Sequence, residues 1–579
     1  MTHYTDEKQA QIVIALLKAH GIRHVIASPG ATNITFVGSI QSDPFFRVWS
    51  SVDERSAAYM ACGLATELGE PVVISCTGAT ASRNYLPGLT EAFYRKLPVL
   101  AITSTQIEAR IGHHVAQVID RNSPPKDTVK LSVHLPVVKD DDDIWECEMK
   151  VNRAILELRR HGGGPAHINL PTTYSRNFTE KALPAYRVIN RWTGEDRNLP
   201  VLRGRVGVFV GAHRAWSKDE TSALDRFCEA NNAAVFCDHT SGYHGKYRIL
   251  GALIGGQDGV NQSGIRPDVM IHIGEISGDY EIQPLIGQEV WRVSPDGEVR
   301  DTWRKLRQVF EMSERQFFEI YSGSAARSTE YFETCKVVLE DRRGRVPDLP
   351  FSNIWLAAEF AHRIPAGSVV HFAILNSLRA WNCFELPPGV RAASNVGGFG
   401  IDGCMSSLIG ASLADPDRLF FLVTGDLAFF YDMNALGNRH LGPNVRILLV
   451  NNGEGVEFTQ YTHAGAAFEG DTSRFIAAGG HFGAKSPTLV RTYAEGLGLD
   501  YLSVCGKQEG EAAAAWLLAP EKRRRPLLVE AFVDAEDESV ALKMIRNLVP
   551  TRQNKARQIA KGILGKDGVR AAKRILGKE

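Results

Sequence analysis

The chain has 579 residues, 44% apolar and 23% charged, with 66 basic against 66 acidic side chains and a formal net charge of zero. That length exceeds what one hydrophobic core can serve and predicts three or four domains. The even charge balance excludes a globally basic nucleic-acid binder, so no nucleic acid is expected as a partner.

No stretch supplies the ~18 uninterrupted apolar residues of a membrane-crossing helix, and the opening MTHYTDEKQAQ lacks the apolar centre of a secretory signal. The nine cysteines are scattered, odd in number and without a CxxC pair. That excludes a disulfide framework or a zinc site and predicts a soluble protein of the reducing cytoplasm.

From the N-terminus, short apolar runs alternate with helix-length amphipathic segments. HVIASPG, PVVISCTG, LPVLAITS and AHINLP come first, then VGVFVGA, AAVFCD and VMIHIG, then VVHFAI, LFFLVTGD, RILLVNN and PLLVEAFV. Continuous apolar runs of this length predict strands buried on both faces, hence parallel sheets covered by helices. Several runs end in small or polar residues just before a helix, where such sheets place binding sites. Charged, proline-bearing breaks around 183–203 and 340–352 mark boundaries. The fold expected is α/β, with three doubly wound parallel-sheet domains at 1–185, 195–340 and 350–550. Residues 551–579 carry nine Lys or Arg against two acids, with apolar residues at helical spacing. They read as a basic amphipathic tail for an anionic membrane surface or a partner, or as a solvated or subunit-packing tail.

The chemistry concentrates in VTGDLAFFYDMNALGNRHLGPNVRILLVNNGEG, residues 423–455. It reads as strand, Gly-Asp turn, amphipathic helix, and a second strand ending in paired asparagines. Gly425 permits close backbone approach to a phosphate, and the helix start after Asp426 favours phosphate charge. Asp426 and Asn452, 26 positions apart, end neighbouring strands. They offer the all-oxygen donor set that suits magnesium.

This arrangement resembles the cofactor motif of thiamine diphosphate-dependent enzymes. The resemblance implies thiamine diphosphate held through Mg2+ by Asp426, Asn452 and the backbone carbonyl of Glu454, with Gly425, Leu427 and Phe399 in the cofactor bed. It further implies that Glu54, in SSVDERSAAYMACGLA, bonds N1′ of the aminopyrimidine, a proton transfer needing a shielded carboxylate. Ile401, in GGFGIDGCMSSLIGASLA, would hold the cofactor bent, and Gln117, in RIGHHVAQVIDRN, would contact the reacting centre. His113 and His114 match a histidine pair of the non-oxidative decarboxylases, where imidazole moves protons near working pH. Glu457 lies one position from a second acid used by some of them.

Over residues up to about 550 the resemblance is nearest to the menaquinone-pathway synthase that adds a succinyl unit from 2-oxoglutarate to isochorismate. Shared segments include SPG at 28–30, DERSA at 53–57, NYLPGLTEA at 84–92, VSPDGEVRD at 293–301 and GIDG at 400–403. The middle domain lacks a GxGxxG fingerprint, so no FAD is expected. Where that family reads substrate carboxylates with arginines, this chain carries Thr32 (after Ala31), Gln106, Trp381 and Val396, with Arg379 close by. Carboxylates left without guanidinium forks would be buried unpaired.

The expectation is therefore a carboligase that decarboxylates a 2-oxo acid donor and transfers the acyl carbanion to an unidentified acceptor other than isochorismate. Two alternatives stand beside it: a 2-oxo acid decarboxylase releasing an aldehyde, and a non-catalytic cofactor-binding partner subunit. The resemblance also implies a homodimer or homotetramer with active sites between chains. The Gly- and Ala-rich stretch 453–487 is expected to close over the site.

Overall fold

The structure, a computed structural model, describes residues 3–323 and 328–550; the basic tail at 551–579 lies outside the described residues. The described parts of Met1–Asp196 and Asp296–Glu311 form one compact unit, and those of Arg197–Pro295 and Met312–Glu579 a second. The architecture is α/β throughout, built on three parallel sheets.

The first unit holds β1 (His24–Ala27), β2 (Arg47–Ser50), β3 (Val72–Thr77), β4 (Val99–Thr105), β5 (Leu131–His134) and β6 (Ala166–Pro171), in the order β2-β1-β3-β4-β6-β5. Every pairing is parallel. Interior strands β1, β3, β4 and β6 are buried almost end to end, while β2 at the edge is largely exposed. The strand order reverses between β1 and β3, which opens a crevice at their carboxyl ends. The helix Glu54–Leu68 starts beside that crevice, N-capped by the Asp53 carboxylate, which accepts from the Arg55 and Ser56 N–H groups. It packs against the helix Leu86–Tyr94 through Gly88, where an added Cβ would meet the Cβ of Ala58 and, at 2.9 Å, its carbonyl carbon. The first unit also contains β7 (Asn190–Thr193), paired in parallel with a later strand named below.

The second unit holds β8 (Val206–Val210), β9 (Ala233–Cys237), β10 (Arg248–Leu250), β11 (Val269–Ile273) and β12 (Glu289–Ser294), ordered β10-β9-β8-β11-β12. The partner of β7 is β13 (Leu306–Glu311) of the first unit. The third sheet joins β14 (Val369–Phe372), β15 (Arg391–Ser394), β16 (Phe420–Gly425), β17 (Val445–Asn451), β18 (Asp500–Val504) and β19 (Leu527–Phe532), in the order β15-β14-β16-β17-β19-β18. Its reversal falls between β14 and β16, so the second crevice opens at the end of β16. Phe420, Leu422, Ile447, Leu449 and Leu528 fill its core. Among the described residues no helix is long and apolar enough to cross a membrane.

Candidate active site

The β16–β17 register pairs Gly425 with Val450, so the two strands end side by side. Asp426 and the Asn452–Glu454 turn are thereby brought together, as the sequence spacing predicts. Asp426 is 5% exposed. Its Oδ2 accepts the Gly453 N–H at 2.6 Å and its Oδ1 accepts the Leu427 N–H at 2.7 Å. Gly453 has φ of +83°, which lets the turn fold back over the carboxylate. Burial pushes the Asp426 carboxyl up to about 6, against the pull of those backbone bonds. Among the described residues no Lys, Arg or His pairs with it. A buried carboxylate held only by N–H groups, beside an amide and a carbonyl oxygen, is a donor set that fits a hard divalent cation. The Glu454 carbonyl accepts from the Val456 N–H at 3.0 Å. The Glu454 side chain turns to the hydroxyls of Ser473 and Thr459, which ties this turn to the 453–487 stretch.

Around this centre lie the other residues of the second unit. Gly425 and Leu427 are half-buried at the strand end, and Leu427 Cδ1 would lie 3.3 Å from a Cβ added at Gly455. Ile401 is half-buried and packs on the third-sheet core. Phe399, at φ of +54°, stacks on the Tyr280 ring at 6.0 Å. Arg379 also lies over Tyr280, its guanidinium 4.9 Å from the ring centroid, and ion-pairs with Glu457. Asn376, with its amide oriented to satisfy both groups, donates to the second Glu457 oxygen at 2.7 Å and accepts the Glu457 N–H at 3.1 Å. Glu457 is therefore clamped from two sides.

The remaining sequence-selected residues belong to the first unit. Glu54 opens its helix half-buried. Burial, and then the Glu54 charge among smaller effects, raises both the Cys76 thiol and the Tyr85 phenol. His113, His114 and Gln117 sit exposed on the loop between β4 and β5. His114 has φ of +55° and Gln117 of +65°, the left-handed region that non-glycine residues rarely hold without a constraint. Among the described residues their side chains make no hydrogen bond or ion pair, so the loop presents all three to solvent.

Two acids of the second unit escaped the sequence reading. Glu538 is 5% exposed, accepts the Asn353 N–H at 3.0 Å, and is pushed up to about 7 by burial, with the Asp426 charge adding to it. Asp279, 3% exposed and next to Tyr280, is pushed up to about 7 by burial and then by the Asp238 charge. Neither carries a sequence signal: one reads as a helix-start acid behind the cap Asp534, the other as a loop acid.

Residues 7–123 match the family model described as thiamine pyrophosphate enzyme, N-terminal TPP binding domain. Similar proteins include the 2-succinyl-5-enolpyruvyl-6-hydroxy-3-cyclohexene-1-carboxylate synthase of Phocaeicola vulgatus, 32% identical over 93% of this chain and 98% of the relative. The synthase of Bacteroides fragilis is 31% identical over the same shares, and that of Desulfotalea psychrophila 26% identical over 89% and 96%. With that identity carried along nearly the whole of both chains, this chain belongs to the thiamine pyrophosphate enzymes, in the family of the 2-succinyl-5-enolpyruvyl-6-hydroxy-3-cyclohexene-1-carboxylate synthases.

Proposed function

We propose that this enzyme is a thiamine diphosphate- and Mg2+-dependent carboligase that decarboxylates a 2-oxo acid and delivers the acyl unit to an acceptor other than isochorismate. The carrying observation is the buried Asp426 carboxylate, gripped by backbone N–H groups and, among the described residues, lacking a basic partner. Asp426, Asn452 and the Glu454 carbonyl would hold the metal, with oxygen donors of the kind that magnesium takes. Bound thiamine diphosphate supplies the carbanion-stabilising centre that decarboxylation of a 2-oxo acid requires. Glu54 holds or releases the proton at N1′ of the aminopyrimidine; Gly425, Leu427, Phe399 and Ile401 shape the cofactor bed. Gln117, with His113 or His114, serves proton transfer at the substrate end, and Glu457 holds Arg379 in place. In this assignment 1–185 binds the pyrimidine, 195–340 is the central domain and 350–550 binds the diphosphate. Two chains share each site in a cytoplasmic homodimer or homotetramer.

The acceptor half of the reading is supported by what occupies the arginine positions of the related synthases. Thr32 is 3% exposed and donates to the Ser104 carbonyl at 2.7 Å. Trp381 and Val396 are buried apolar side chains, and Gln106 accepts from Arg110. The nearby Arg379 is already neutralised by Glu457. Dicarboxylate recognition by guanidinium forks is thus not available at these positions.

The test supplies Mg2+, thiamine diphosphate and a set of 2-oxo acids, with isochorismate or with aldehyde and keto-sugar acceptors, and follows carbon dioxide and product mass. Release that is slow alone and accelerated by one acceptor, with the mass gain of the acyl unit, establishes the carboligase. Efficient addition to isochorismate overturns the acceptor assignment. The exposed imidazoles of His113 and His114 favour simple decarboxylation as a second reading, and fast release with a free aldehyde in every mixture would establish that instead.

A further inference from the structure

We propose that Tyr461 is a positioning residue, which latches the 453–487 stretch to the segment between β10 and β11 and thereby sets the Arg379–Glu457 pair. Its hydroxyl donates to Asp258 Oδ2 at 2.6 Å. Asp258 is itself fixed from the far side by the end of the helix Ala535–Ile545. Its Oδ1 accepts from Arg546 Nε at 2.9 Å, and its N–H donates to the Arg546 carbonyl at 2.8 Å. The neighbouring Gln257 donates to the Ile545 carbonyl at 2.9 Å and accepts the Leu548 N–H at 3.0 Å. The carboxylate that receives Tyr461 is therefore held in a satisfied polar network, which makes it a rigid anchor.

Arg546 carries the network onward. Its Nη1 donates to Glu281 Oε1 at 2.5 Å. Glu281 adjoins Tyr280, whose ring stacks on Phe399 and lies 4.9 Å from the Arg379 guanidinium. Arg379 pairs with Glu457, which stands four residues before Tyr461 on the same short segment. The contacts thus close into a ring that returns along the chain from Glu457 to Tyr461. The other ties of the stretch run elsewhere. The Gly455 N–H donates to the Ala477 carbonyl at 2.6 Å, the Glu454 carboxylate takes the Ser473 and Thr459 hydroxyls, and Lys485 Nζ donates to the Val533 carbonyl at 2.7 Å. Of these ties only the Tyr461 hydroxyl reaches the segment between β10 and β11. Tyr461 is also the exposed member of the ring, at 40%, so the ring can open there without unpacking a core. A hydrogen bond to a charged acceptor favours the closed arrangement by about tenfold or more. Members of one ring respond as a unit, whereas separate contacts add.

Limited trypsin digestion of the purified full chain reads the latch. Arg474 lies inside the short helix Asp471–Phe475 of the latched stretch, so its bond is cut when the stretch opens. The fragment ending at Arg474 is followed by mass spectrometry in the native protein, Y461F, R379Q and the double variant. Y461F removes one hydroxyl and should speed this cut about tenfold, with Tm within about 3 °C of the native protein. R379Q should itself speed the cut, and in that background Y461F should add less than about threefold, because the ring is already open. Equal acceleration in both backgrounds, or none in Y461F, overturns the proposal. On any 2-oxo acid from which the enzyme releases carbon dioxide, Y461F should lower kcat/KM about tenfold while Mg2+–thiamine diphosphate affinity changes less than about threefold. An unchanged kcat/KM overturns the positioning role. The cleavage arm needs no substrate, so it decides on the latch even where the carboligase reading fails.

Discussion

Asp426→Asn separates a metal-holding carboxylate from a structural one. In the cofactor-free protein the carboxyl is lifted from 3.8 to about 6 by burial, and each unit corresponds to about 1.4 kcal/mol. Ionised Asp426 therefore costs about 3 kcal/mol of folding stability at pH 8. Asparagine removes that cost, but its amide can accept only one of the two backbone N–H groups now bound by the carboxylate. Setting an NH2 against the other costs about 1–3 kcal/mol. At pH 8 the cofactor-free variant should thus lie within about 2 kcal/mol of the native protein. The sign of the pH dependence follows from the raised value: protonation of Asp426 stabilises the fold fully below about pH 4, and this contribution fades as pH rises through 6. Lowering pH from 8 to 4.5 should therefore shift the comparison by about 2 kcal/mol in favour of the native protein. Urea unfolding of both proteins at the two pH values, with and without Mg2+ and thiamine diphosphate, provides the assay. A native–variant difference that ignores pH, or a variant that keeps Mg2+-dependent stabilisation by the cofactor, would refute the reasoning.

Three further outcomes follow from the same geometry. Glu54→Gln should lower turnover by about 10²–10⁴-fold while changing Mg2+-dependent cofactor binding by less than about tenfold; calorimetric titration beside steady-state rates checks both. Gly88→Ala places a Cβ 2.9 Å from the Ala58 carbonyl carbon, so it should destabilise the protein by about 1–3 kcal/mol. It should also depress kcat, because the helix it displaces begins with Glu54; Tm and rate are measured together, and an unchanged rate would detach Glu54 from that helix contact. Breaking the Arg379–Glu457 pair by R379Q, E457Q and the double variant should give a coupling of about 1–3 kcal/mol in a stability cycle; coupling near zero would mean that Asn376 alone holds Glu457.

How much of this protein its sequence determined is visible strand by strand. All eleven apolar runs became strands, because β1, β3, β4, β6, β8, β9, β11, β14, β16, β17 and β19 are buried along most of their length, and full burial writes itself as an unbroken apolar run. The strands with no such run include the sheet edges β2, β5, β10, β15 and β18, where Arg47 and Arg391 are exposed and His134, Arg248 and Asp500 only half-buried. β12 was hidden by Arg292, a buried cation between Trp291 and Val293. The pairing of Asp426 with Asn452 was legible because two adjacent parallel strands must end together, so that spacing along the chain becomes distance in space. The surroundings of Arg379, Glu538 and Arg121 were not legible. Arg379 meets Tyr280 and Glu457, Glu538 meets the Asn353 N–H, and Arg121 meets Thr103. These partners come from distant parts of the chain, and burial, which sets their charge state, is a property of the packed interior rather than of any local pattern.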